Sequence, residues 1–350
     1  MSAPPKDRIR VLLIDDSAVV RGVWRRILEP EPDIEVVASS GNGRLGVEAL
    51  SASPADVAIL DVEMPEMDGL TALPLLRAAC PGLKIIMAST LTTRGAKVTL
   101  QALSLGAADY IAKPTSLTHS GALTSVAQEL IAKVRALGRP VRPGPEALTP
   151  RATPRPSTVM PRVLAIASST GGPNALSSVL RGLPAGFMLP ILIAQHMPPT
   201  FTAMLAEHLG KDSGRPSCQA ESGTSVRAGE IYVAPGDYHM IVAAASQGPV
   251  IDLNQGPREN FCRPAADPLL RSVAVVYGPA ALVTVLTGMG EDGRRGSEAV
   301  VRAGGTVIAQ DQATSVVWGM PGAVAQAGLA AAILPLDEIP RHIARLAKVG

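Results

Sequence analysis

The run Val163-Leu-Ala-Ile-Ala-Ser-Ser-Thr-Gly-Gly172 is a short apolar stretch that stops at hydroxyls and then at two glycines. A buried strand followed by such a turn predicts the strand–turn–helix unit of an α/β sheet, with Ser169 at the turn. A hydroxyl there is held clear of its own backbone. The first unpaired N–H groups of the next helix stand beside it, ready to receive a developing negative charge. Serine and threonine before a glycine pair also serve as helix caps. Ser169 gains weight from His196 and Asp292, which stand after other predicted strands.

The rest of the chain repeats the alternation. Its 350 residues suit about two domains, and with 47% hydrophobic and 18% charged residues both are globular. A net charge of +2 demands neither nucleic acid nor an anionic membrane. Three widely spaced cysteines, Cys80, Cys218 and Cys262, fit a reducing compartment and argue against zinc. Met1 to Arg10 is polar and no secretory signal, so a cytoplasmic location is expected. The most apolar stretch, Val273 to Leu286, is broken by Gly278-Pro279 and is too short for a membrane span.

Between Leu137 and Val163 stand seven prolines and five arginines with no apolar period. This predicts an exposed, semi-stiff tether at 138–160 between a front domain at 8–130 and a back domain at 161–350. In front, strands are expected at Arg10–Ile14, Ile34–Ala38, Val57–Leu60, Lys84–Ala88 and Tyr110–Ile111, with helical spacing between them. In the back unit, strands are expected at Val163–Ala167, Ile191–Ala194, Ile231–Ala234, Met240–Val242, Leu282–Leu286 and Thr306–Ala309, with local antiparallel pairing in 210–260. The fold class is α/β: two doubly wound parallel sheets, five-stranded in front and larger behind. Chemistry in such folds gathers at the carboxyl ends of the strands.

Those ends in the front unit carry Asp15-Asp16, Asp61, Ser89 and Lys113-Pro114. Converging carboxylates repel unless a hard divalent cation or the lysine compensates, and magnesium is the obvious ion. With charge neutralised, Asp61 is placed to attack a phosphoryl group, Ser89 to bond the product and Lys113 to clamp another oxygen. Together with Asp61-Val-Glu-Met-Pro-Glu-Met-Asp-Gly69 and Gly106-Ala-Ala-Asp-Tyr110, this constellation resembles the receiver domains of two-component response regulators. The resemblance implies that Asp61 accepts phosphate and that Asp15, Asp16 and the Glu63 carbonyl hold magnesium with it. It makes Ser89 and Tyr110 the switch pair. Asp68 reads as a turn residue.

Three loops carry the back unit's chemistry: Ser168–Gly172, Gln195-His-Met-Pro-Pro199 and Thr287-Gly-Met-Gly-Glu-Asp-Gly293. A serine hydroxyl needs an imidazole to take its proton, and the imidazole needs a carboxylate to fix its tautomer. Ser169, His196 and Asp292 supply these types. The N–H groups of Thr170 or Gly171 suit an oxyanion hole. His239, after Ala234-Pro-Gly-Asp237, is placed to line the same cleft; His208 falls on a helix surface, and Glu291 faces solvent. Two other readings stay open: a phosphate- or nucleotide-binding module using the glycine loops, which lack the P-loop lysine, and a DNA-binding regulator, for which no basic recognition helix is visible.

Here the sequence resembles the chemotaxis response regulator protein-glutamate methylesterases over nearly its whole length. The blocks are the serine loop, Gln195–Pro198, Tyr232–Asp237, Thr287–Gly290 with Asp292-Gly293, Gln310-Asp311, Ala313–Ser315 and Gly319–Pro321. The resemblance implies hydrolysis of glutamate methyl esters on methyl-accepting chemotaxis receptors, with methanol released. It also implies deamidation of receptor glutamines and activation by a chemotaxis histidine kinase through Asp61. Ser169 is then the nucleophile, His196 the base and acid, Asp292 the orienting carboxylate, and Thr170, Gly171 and Met289 the pocket. The esterase step needs no cofactor, and neither nucleic acid nor membrane insertion is implied. Four positions depart from the family pattern: Ala167 for glycine, Ala265 for serine, Trp318 for tyrosine and Gly322 for arginine.

Overall fold

The computed structural model describes residues 8–90, 92–113, 120–138, 154 and 156–349. Most of the expected tether, and Pro114 of the Lys113-Pro114 pair, lie outside them. The chain divides into two compact units, Met1–Arg142 and Pro143–Gly350.

The front unit runs β1 (Ile9–Ile14), α1 (Ala18–Leu28), β2 (Ile34–Ser40), α2 (Gly43–Ala52), β3 (Val57–Asp61), α3 (Gly69–Ala79), β4 (Lys84–Ser89), α4 (Thr93–Ser104), β5 (Asp109–Ala112) and α5 (Ser120–Gly138). Its strands form one parallel sheet in the order β2-β1-β3-β4-β5. Helix α1 packs with α5, while α3 contacts both α2 and α4, so both faces are covered. That is why β3 is buried at every residue and reads as a continuous apolar run. Side chains of Ser17, Asn42, Asp68 and Thr92 cap α1 to α4 by accepting from N–H groups in the first turn, each worth about 1 kcal/mol. Asp68 is thus a helix cap. Helix α5 continues past the expected boundary at 130 to Gly138.

The back unit runs β6 (Val163–Ser168), α6 (Gly172–Gly182), β7 (Ile191–Gln195), α7 (Pro199–Ser213), β8 (Ser217–Gln219), β9 (Ile231–Val233), β10 (His239–Ala245), β11 (Gly248–Asn254), α8 (Ala266–Tyr277), β12 (Ala281–Val285), α9 (Arg294–Arg302), β13 (Thr306–Gln310), α10 (Met320–Gln326), β14 (Ala332–Leu334) and α11 (Ile339–Leu346). Seven strands pair in parallel in the order β14-β13-β12-β6-β7-β9-β8. The expected antiparallel element is the β10–β11 hairpin. Alternate residues of β6, Val163, Ala165 and Ala167, join a core with Leu269, Leu270 and Val273 of α8. Each large apolar side chain buried there contributes about 1.5–3 kcal/mol.

Both sheets are doubly wound, so both have a point where successive connections leave in opposite directions. In front it lies between β1 and β3, and behind it lies between β6 and β12. Asp15 and Asp61 end the first pair. Ser169 and the loop carrying Asp292 follow the second. Ligands bind in such crevices because two loops part there at the carboxyl edge of the sheet.

Gly69 fixes the approach of α3 to that edge: a Cβ at this position would lie 2.1 Å from the carbonyl oxygen of Asp61. Gly69→Ala is expected to destabilise the front unit by about 1–3 kcal/mol, read as a lower urea midpoint for its unfolding transition.

Candidate functional site

The front cleft is an ion cluster. Asp15 and Asp61 are buried and Asp16 is exposed, and one carboxylate oxygen from each lies within 4.8 Å of the others. Lys113 Nζ reaches Asp15 at 2.8 Å and Asp61 at 2.7 Å. Burial, reinforced by Asp15, pushes the Asp61 pKa up to about 6 against the pull of Lys113. Burial disfavours the Lys113 charge too, but the two carboxylates outweigh it and raise its pKa. The other Asp61 oxygen, Oδ2, is buried without a hydrogen bond. Three carboxylates with an uncompensated oxygen are the donor set of a hard divalent cation, so these residues fit magnesium.

Ser89 is buried at the end of β4, with its hydroxyl on Thr90 O at 3.2 Å. Tyr110 is buried on β5. The Lys133 ammonium sits 4.8 Å from the Tyr110 ring centre and bonds the Tyr110 carbonyl at 2.6 Å. Glu63 N–H donates to Asp61, while the Glu63 carboxylate is exposed beside Arg94.

In the back unit, buried Asp292 is the hub. Its carboxylate accepts five hydrogen bonds: His196 Nε2 at 2.7 Å, Asn260 Nδ2 at 3.0 Å, and the N–H groups of Ala266 at 2.6 Å, Asp267 at 3.0 Å and Gly293 at 2.9 Å. Two of those donors belong to the first turn of α8, whose orphan N–H groups and positive dipole end favour an anion. Burial alone would raise the Asp292 pKa; the His196 bond and these amides outweigh it and lower it. The carboxylate is therefore ionised, which fixes the His196 ring.

His196 is held at its other nitrogen as well, with Cys262 Sγ 3.3 Å from Nδ1. Burial disfavours the imidazolium, but the Cys262 sulfur and Asp292 prevail and raise its pKa above the usual histidine value. Ser169 is half-buried at the same strand edge. Its N–H bonds Thr287 O at 3.0 Å, and Gln195 Nε2 reaches both Ser169 O at 3.0 Å and His196 O at 3.2 Å. Gln195 Oε1 accepts from Ser168 Oγ at 2.7 Å, so one buried amide staples the serine loop to the histidine loop. The structure joins His196 to Asp292 directly. It brings Ser169 to the same edge without a hydroxyl–imidazole hydrogen bond among the described residues.

Gly171 is left-handed with φ 77°, and the Gly172 N–H is committed to Ser169 O at 2.7 Å. Thr170 is buried, and its carbonyl accepts from Thr287 Oγ1 at 2.9 Å. Met289 is half-buried between Gly288 and Gly290. His239 does not line the cleft. It is buried, accepting from Ala265 N–H at Nδ1 and meeting Pro257 O at Nε2, which makes it a structural histidine. His208 pairs with Asp212 along α7, and Glu291 is exposed beside Arg294.

The sequence reading assigned no role to Gln195, Asn260, Cys262 or Asp267. Gln195 had a signal, since it adjoins His196 at a strand end; the others act through folding alone. The four departures have local reasons. Ala167 lies within β6, paired with Val285 and Ala194, so its Cβ is core and not part of the turn. Ala265 precedes α8 without a side-chain cap, and Asp292 supplies those bonds. A Cβ at Gly322 would lie 3.0 Å from the Trp318 ring, so the indole fills the space a longer residue at 322 would need.

Comparison with known proteins agrees with this architecture. A CheB methylesterase family model matches residues 164–343, and a response regulator receiver domain model matches 11–121. The chain is 52% identical to the protein-glutamate methylesterase/protein-glutamine glutaminase 1 of Paramagnetospirillum magneticum, over 99% of this chain and 98% of that one. It is 53% identical to protein-glutamate methylesterase/protein-glutamine glutaminase 2 of Caulobacter vibrioides, over 97% of this chain and 99% of that one. The catalytic domain of Thermotoga maritima CheB methylesterase covers 54% of this chain and all of its own, at 40% identity and a TM-score of 0.52. By full-length similarity and by domain order, the chain belongs to the chemotaxis response regulator protein-glutamate methylesterases.

Proposed function

We propose that this protein removes methyl groups from glutamate γ-methyl esters on methyl-accepting chemotaxis receptors, releasing methanol, and deamidates receptor glutamines by the same route. The observation that carries the reading is the five-bonded Asp292 carboxylate holding His196 beside the Ser169 turn. Ser169 Oγ attacks the ester carbonyl while His196 takes its proton. With Nε2 bonded to Asp292, the nitrogen that does so is Nδ1, and Cys262 must yield that position as the site tightens around substrate. Asp292 stabilises the imidazolium, and N–H groups of Thr170 or Gly171 receive the oxyanion, with Met289 at the pocket wall. His196 returns the proton to the methanol or ammonia that leaves, then activates water to release the glutamate.

The front unit, through the end of α5 at Gly138, forms the switch, 161–350 the catalytic domain and the stretch between them the tether. Asp61 accepts a phosphoryl group from a chemotaxis histidine kinase. Asp15, Asp16, Asp61 and the Glu63 carbonyl would hold a magnesium ion, whose charge screens the phosphoryl oxygens when it is bound. Lys113 exchanges part of its carboxylate pairing for a phosphoryl oxygen, and Ser89 and Tyr110 respond to it. The unphosphorylated front unit restrains the esterase, a modest bias between two arrangements that phosphorylation reverses. No helix among the described residues is long and apolar enough to cross a membrane, which suits action from the cytoplasm on the cytoplasmic receptor helices.

Three outcomes test this. Ser169→Ala is expected to lower kcat for methanol release from methylated receptor by about 10⁴ or more, and Asp292→Asn by about 10⁴; full activity in Ser169→Ala would end the assignment. Asp61→Asn should leave basal methanol release unchanged and abolish its stimulation by a small-molecule phosphodonor. The third is pH dependence: the base must be neutral and its pKa is raised, so kcat/KM climbs with pH through a midpoint above 6.5. Cys262→Ala removes one of the raising influences and should move that midpoint to lower pH.

A further inference from the structure

The turn Glu259–Cys262 carries one side chain that the chemistry leaves unused. Glu259 and Cys262 pair backbone to backbone in both directions, at 3.2 and 2.9 Å, so Asn260 and Phe261 form a two-residue turn. Their φ values are 50° and 64°, the left-handed pair of a type I′ turn, which Asn-Gly ordinarily provides. Asparagine tolerates this region, whereas the Cβ of a phenylalanine is crowded there. Such strain persists only where surrounding contacts over-determine it. Here they do. The Glu259 carboxylate forms two bonds to Arg271, the Asn260 amide bonds Asp292 and Asp267, and Cys262 contacts His196.

Three residues of the turn are therefore tied down around the base, and the fourth is bare. Phe261 is 96% exposed, the most exposed large apolar residue described, whereas the chain's other two phenylalanines, Phe187 and Phe201, are fully buried. Folding gains nothing from an uncovered ring at a strained position, and glycine would sit there more easily. The ring stands one residue from the contact with His196. A methylated glutamate side chain is short, so the helix bearing it must lie against the rim of the cleft where this turn projects.

We propose that Phe261 is a substrate-docking residue, an aromatic anchor that packs on the apolar side of the receptor helix and sets the ester over Ser169 and His196. This rests on the functional reading above for the identity of the helix.

The test compares binding of full-length Ser169→Ala to detergent-solubilised methylated receptor with binding of the same chain carrying Phe261→Gly. In parallel, KM and kcat for methanol release are compared between wild type and Phe261→Gly. Kd and KM are expected to rise about tenfold with kcat within twofold, as for loss of a buried aromatic anchor. The Tm of Phe261→Gly should rise as the turn relaxes, and Phe261→Trp should retain affinity. An unchanged Kd overturns the proposal. So does a parallel fall in kcat, affinity and Tm, which marks a structural role. A rise in unphosphorylated activity at unchanged Kd also overturns it, placing the front unit on Phe261 instead. If wild type releases no methanol, the functional reading fails by that result alone, while the Kd comparison still decides whether Phe261 contacts the receptor.

Discussion

A carboxylate buried in an α/β core is unstable unless every oxygen lone pair finds a donor, and the back domain is arranged to meet that demand at Asp292. Three backbone amides, one side-chain amide and one imidazole converge on it. The donors come from four parts of the chain: the loop after β7, the 259–262 turn, the start of α8 and the start of α9. Removing one partner from such a group leaves a desolvated charge, which costs several kcal/mol. The site is consequently a by-product of satisfying one ion, and the orientation of His196 follows from it. A histidine beside an exposed aspartate would keep its rotational freedom and much of its ordinary pKa.

The front domain solves a related problem differently. Asp15, Asp16 and Asp61 meet at the crevice between β1 and β3 with one lysine among them, and the balance is left incomplete at Asp61 Oδ2. Asp292 is fully satisfied and stays ionised and still, whereas Asp61 is under-satisfied with a raised pKa. A carboxylate whose task is to orient benefits from the first condition. The second condition instead favours a bound cation, because new positive charge relieves the buried and crowded carboxylate.

How much of this could be read from sequence follows from the same physics. Strands buried on both faces announce themselves as unbroken apolar runs, which is why β1, β3, β4, β6, β7, β12 and β13 were placed with small boundary errors. The positions of the candidate site residues at strand ends were legible because parallel sheets gather such loops at one edge. Helix α8 was missed. Its N-cap is Ala265, which has no capping side chain, so the usual start signal is absent; its capping acceptor, Asp292, stands in a distant loop that no local window includes. The short strands β8 and β14 have too few residues for a period, and β11 is a mostly half-buried hairpin arm with a proline. His239 illustrates the reverse error. Its place after a strand-like run suggested a cleft residue, yet both nitrogens are spent on backbone groups.

The neighbourhood of Asp292 also explains why Asn260 is an amide. Asp267 lies close enough to raise its own pKa through burial and the charge of Asp292, and Asn260 Nδ2 spans the two carboxylates at 3.2 and 3.0 Å. A carboxylate at 260 would put three acids together, with the nearby Arg271 already paired to Glu259, and a residue without donors would leave both neighbours short of a bond. The two N–H groups of the amide nitrogen serve both at once without adding charge. The asparagine that reaches both sits in left-handed backbone, φ 50°, a region this residue type tolerates. The charge of Asp292 thus sets the residue type at 260 as well as the orientation of the imidazole.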